Sequence, residues 1–157
     1  ATIRRQRQMC IRDSLNLEQC RLVTLSACET GLIDSHNVSD EYIGLPSGFL
    51  YAGASNVVAT LWTVNDLSTT FLMIKFYENL IQQLKKTSKL NVAIALRDAQ
   101  LWLKQVDKTQ LEKWLPNIPL TDPNHEAELE DWLSERQPNI KPFESPYYWA
   151  GFCAIGQ

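Results

Sequence analysis

Cys28 is the residue of this sequence best placed for covalent chemistry. It directly follows L-V-T-L-S-A, the apolar run from Leu22 to Ala27, and precedes Glu29, Thr30 and Gly31. A thiol at the end of a buried strand is held rigidly by the sheet, yet faces the crevice that loops form at strand carboxyl ends. The backbone N–H groups after it are placed to stabilise an oxyanion where the chain turns sharply. The attacking species is the thiolate, and a free thiol with a pKa of about 8.5 is mostly protonated at neutral pH unless a histidine or cation lowers it. Only two histidines are present, His36 and His125. His36 lies in a polar loop and reads as a solvated residue. His125, in P-N-H-E-A, reads as a helix-entry residue.

Three further residues are candidates for binding a substrate. Asp66 closes L-W-T-V-N-D at the end of a second apolar run. There it serves either as the acidic wall of a pocket for a basic side chain or as the N-cap of the helix that follows. Trp62, at the same strand end, is placed to line the cleft; Trp102, Trp114, Trp132 and Trp149 read as core or seam residues. Glu29, next to the thiol, is placed to orient an imidazole or, more simply, to cap local N–H groups. Asp40 and Glu41 read as solvated loop residues before Gly44.

The elements that must position these residues follow from periodicity. Leu22–Ala27 and Asn56–Trp62 are short apolar runs without alternation, as in strands buried on both faces of a parallel sheet. Between them, Pro46 suits the first turn of a helix and Gly53 its stop. Strand, helix, strand implies a parallel crossover. Leu67, Phe71, Ile74, Tyr77, Ile81 and Leu84 then recur at helical spacing, with Asn65 or Asp66 as N-cap and Lys85 and Lys86 at the far end. Val92, Leu96, Ala99 and Leu103 mark a second helix. Residues 111–115 and 126–136 predict shorter helices, and Tyr147–Ile155 predicts an aromatic-rich strand. The sum is an α/β fold: a central, mostly parallel sheet flanked by helices.

Composition narrows the classes of function. The 157 residues are 45% hydrophobic and 21% charged, which is ordinary for one globular domain. The net charge of -3 gives no basic excess for phosphates, so no nucleic-acid partner is expected. No apolar run nears the roughly 20 residues of a membrane-spanning helix, so no membrane partner is expected either. The four cysteines (Cys10, Cys20, Cys28, Cys153) form no C-x-x-C pair, so no metal site and no cofactor is expected. Cys20 and Cys153 read as packing residues. Reduced, cytoplasmic thiols fit the absence of a secretory signal. Residues 1–13 include four arginines, show no periodicity, and read as a non-native tail set apart from residues 14–157.

Four motifs taken together resemble one family. They are L-V-T-L-S-A-C-E-T-G, E-Y-I-G-L-P-S-G-F-L-Y-A-G-A-S-N-V-V-A-T-L-W-T-V-N-D, L-R-D-A-Q and P-Y-Y-W-A-G-F-C-A-I-G. In order and spacing they resemble the CHAT domain, a caspase- and separase-related domain usually fused to tetratricopeptide repeats in bacteria, especially cyanobacteria. The resemblance runs from about Leu15 to Gly156, and makes residues 14–157 the carboxy-terminal part of such a domain. It implies a caspase-like three-layer sandwich, incomplete at its amino-terminal side, and a Cys–His dyad peptidase with Cys28 as nucleophile. The family's base is a histidine in an H-G motif on the preceding strand, and neither His36 nor His125 sits in one. The fragment is therefore expected to be inert, although its full-length parent need not be. The stretch around Asp66 resembles that of separases, which cut after arginine. Implied partners are a protein or peptide substrate and an upstream repeat region of the same parent chain.

Two other readings compete. A catalytically dead scaffold gains from the absent base and loses from the intact S-A-C-E-T-G. A thiol enzyme of the amidotransferase kind needs a glycine-rich elbow around the nucleophile, which Ser26 and Ala27 do not provide.

Overall fold

The computed structural model describes residues 14–25, 45–87, 89–118, 129 and 131–156. Its sheet has three strands in the order β1 (Val23–Thr24), β2 (Asn56–Thr60) and β3 (Phe152–Gly156). β1 runs parallel to β2, with Val23 opposite Val57 and Thr24 opposite Val58. β3 runs antiparallel on the other side, from Asn56 opposite Gly156 to Thr60 opposite Phe152. The sheet is therefore mixed, and the expectation of a mostly parallel one is met only at the β1–β2 pair. Central β2 is buried on both faces from Val57 to Thr60, which is why its sequence shows no alternation.

Helix α1 (Leu45–Tyr51) lies between β1 and β2 in the chain, with buried Pro46 in its first turn as expected. Gly53 stops it at φ 109°, a backbone that L side chains rarely adopt. A Cβ there would also meet the Glu18 backbone nitrogen at 2.7 Å. The Leu17 N–H donates to the Ala52 carbonyl and the Ser55 N–H to that of Cys20, binding residues 17–20 to this corner.

Helix α2 (Asp66–Thr87) is capped by Asn65, whose Oδ1 accepts from the Ser68 N–H at 3.1 Å. Its buried residues are Ser68, Phe71, Leu72, Phe76 and Leu80. This differs from the face predicted from spacing: Tyr77, Ile81 and Leu84 are 44%, 51% and 42% exposed. Two apolar stripes run along this helix, and packing against α3 (Val92–Gln105) selects the one with Leu72, Phe76 and Leu80. In α3 the predicted stripe is the buried one, with Ala95 added. Asn91 caps α3 by accepting from the Ile94 N–H, and Asp107 caps α4 (Lys108–Trp114) in a capping box with Gln110. A 3₁₀ turn, Leu115–Asn117, follows α4, and residues 131–134 form a helical turn that buries Leu133.

The predicted strand from Tyr147 to Ile155 begins instead as a helical turn, α5 (Pro146–Trp149), and only then becomes β3. Pro146 sits just inside the turn after Ser145, where its missing N–H is harmless. The Trp149 indole N–H donates to the Glu144 carbonyl at 3.2 Å, closing the turn against the strand preference of its aromatic residues.

Aromatic rings complete the core. Phe71 meets Trp114 and Phe143 edge-on, and Trp132 stacks on Phe143. Lys75 lies over Trp102 and Trp114 and pairs with Glu78 at 2.9 Å, while the Trp114 indole donates to the same carboxylate. The expectation that Trp102, Trp114, Trp132 and Trp149 serve core and seam holds.

Candidate active site

Because β1 and β2 are parallel, their carboxyl ends share one edge of the sheet. β1 leaves this edge at Thr24, four positions before Cys28 in the sequence, and β2 leaves it at Thr60, two positions before Trp62. Cys28 and Glu29 lie outside the described residues, as do His36, Asp40, Glu41, Gly44 and His125. The geometry of the site is therefore that of its β2 side.

Trp62 is half-buried there, and two contacts fix its ring. Its Nε1–H donates to the Tyr147 carbonyl at 3.2 Å. A Cβ added at Gly151 would approach Trp62 Nε1 to 3.0 Å and Val64 Cγ1 to 2.9 Å, so the indole rests where only glycine leaves room. The Leu61 N–H donates to the Gly151 carbonyl at 2.7 Å, locking the exit of β2 to the start of β3.

Asp66 is exposed and opens α2, where its charge complements the helix dipole. The capping role falls to Asn65, so the alternative of Asp66 as N-cap is set aside. Its carboxylate makes no ion pair with another described residue. The Asp66 backbone carbonyl accepts from the Thr70 hydroxyl.

Gln100, from L-R-D-A-Q, joins two motifs that are far apart in sequence. Its Nε2 donates to the carbonyls of Trp149 and Phe152, both at 2.9 Å, where α5 turns into β3. A half-buried amide thus satisfies one carbonyl at the end of α5 and one at the start of β3. Sequence reasoning missed Gln100, and it missed Tyr147 as an outward-facing ring by placing that residue in a strand. Ser145-Pro146, a helix-start pair, was the available signal for the turn.

The remaining described thiols are structural. Burial raises the Cys153 pKa, partly offset by its hydrogen bond to the Ala59 carbonyl, and the Cys20 thiol donates to the Leu22 carbonyl. Among the described residues no cluster of His, Cys, Asp or Glu could hold a metal ion, and no helix is long and apolar enough to cross a membrane.

The described residues form a mixed α/β domain with one parallel strand pair, and Trp62 follows the central strand. The chain belongs to the CHAT domain family, whose sequence model matches residues 6–157. Comparison with curated proteins found no match, and comparison with solved structures found none.

Proposed function

We propose that this chain is the nucleophile-bearing half of a caspase-like cysteine endopeptidase domain, with Cys28 as its nucleophile. One observation supports this most: β1, which leads to Cys28, is parallel to β2 and ends at the edge where Trp62 and Asp66 stand. The base is the histidine of an H-G motif delivered by another stretch of polypeptide, since neither His36 nor His125 is followed by glycine. Without that imidazole the thiol stays largely protonated and the leaving amine lacks an acid, so the chain alone is inert.

With the base in place, imidazole removes the thiol proton and sulfur attacks the scissile carbonyl carbon. N–H groups after Cys28 stabilise the oxyanion. Collapse breaks the C–N bond, the imidazolium protonates the departing amine, and water hydrolyses the thioester. Asp66 receives a basic side chain of the substrate, and Glu29 caps N–H groups beside the thiol.

The alternative, a catalytically dead scaffold, is favoured by the absence of an H-G motif from this sequence. Joining the chain to the polypeptide that carries the motif separates the two. The peptidase reading predicts thiol-dependent cleavage that Cys28→Ala abolishes. Cleavage that persists in the variant, or a partner strand with the histidine replaced and no turnover, would rule it out.

A further inference from the structure

The rim formed by Trp62 and the α5 turn has a property that core packing does not require. Trp62 rests against Gly151, and its single donor is taken by the Tyr147 carbonyl, so toward solvent it offers only apolar ring surface. Tyr147 is 48% exposed, and its ring leans edge-on against Tyr148 with centroids 5.3 Å apart. The turn that carries it is fastened by the Trp149 indole at Glu144 and by Gln100 at Trp149. Helix α2, which begins with Asp66, packs against this same turn. Two stiff aromatic surfaces on a rigid corner bind apolar groups at small entropic cost.

We infer that Trp62 and Tyr147 form an aromatic wall that receives a bulky apolar side chain of a peptide, next to the residue that Asp66 receives. The inference rests on the peptidase reading for the ligand's being a peptide. It makes Tyr147 a specificity residue rather than a catalytic one.

Binding needs no base, so the chain itself is the right test object. The indole N–H resonance of Trp62, assigned by its loss in Trp62→Phe, is followed while two probes are titrated: acetyl-Ala-Phe-Arg-amide and acetyl-Ala-Ala-Arg-amide. The phenylalanine probe is expected to shift this resonance and to bind about tenfold tighter than the alanine probe. Tyr147→Ala removes the ring but keeps the carbonyl that Trp62 uses, and brings the two probes within about twofold; Tyr147→Phe restores the preference. Equal binding of both probes by the unaltered chain, a preference that survives Tyr147→Ala, or a Trp62 resonance that neither probe moves would each overturn the wall. The peptidase reading stands or falls separately, on turnover by the joined protein with and without Cys28.

Discussion

Position, more than residue type, sets the behaviour of the described thiols. Cys153 sits on β3 with its pKa raised by burial, the hydrogen bond to Ala59 opposing only part of the rise. A raised pKa means less thiolate at any given pH, so Cys153 should react with iodoacetamide at pH 8 more slowly than free cysteine. Peptide mass spectrometry over a time course checks this, and faster modification of Cys153 than of free cysteine would contradict it. Asp66 and Asn65 illustrate the same point for a helix start. Asn65 accepts the Ser68 N–H, so Asn65→Ala should cost about 1 kcal/mol in urea unfolding. Asp66→Asn, which loses only the dipole interaction of an exposed side chain, should cost about 0.3–1 kcal/mol at low salt, less as salt is added. The sequence alone left the cap undecided between these neighbours, because both residue types accept N–H groups equally well.

Elements hold the carboxyl edge together through a few side chains that reach between them. Gln100→Leu strands the carbonyls of Trp149 and Phe152, and should cost about 1–3 kcal/mol in urea unfolding. Gly53→Ala combines a φ of 109° with a Cβ 2.7 Å from the Glu18 nitrogen, and should cost at least about 1 kcal/mol because the neighbour is backbone. An unchanged urea midpoint in either variant would contradict these assignments. The strand β2, helix α1 with its Pro46 and Gly53, and the buried stripe of α3 were legible because local pattern and tertiary packing agree there, whereas β1, expected to be buried on both faces, is only half-buried over Val23–Thr24. The buried face of α2 was not legible. Its sequence carries two apolar stripes, and only the neighbour α3 decides which one faces inward. The turn α5 was hidden in the same way: aromatic residues suggest a strand, whereas the Trp149 bond to Glu144 and the Trp62 bond to Tyr147 hold a turn. Of the candidate site, Trp62 follows β2 and Asp66 opens α2, while the contacts of Tyr147 and Gln100 required three dimensions.

Across the whole molecule the described surface is uneven. Tyr77, Ile81 and Leu84 expose an apolar stripe on α2, and the Tyr77 hydroxyl hydrogen-bonds Thr24 Oγ1 at 2.9 Å, so the stripe begins beside β1, the end strand of the described sheet. An end strand beside exposed apolar surface favours self-association. Ile81→Lys should therefore reduce association in sedimentation velocity while changing stability by no more than about 0.5 kcal/mol. Unchanged association would show that the stripe takes no part in it. The most direct test of the central assignment is the site of covalent capture. The chain, joined to the polypeptide bearing the H-G motif, is treated with a peptidyl acyloxymethyl ketone ending in arginine and digested for mass spectrometry. The assignment predicts a thioether on Cys28, with none on Cys20 or Cys153. An adduct on either of those thiols, or a Cys28 left unmodified in a protein that still cleaves substrate, would contradict it.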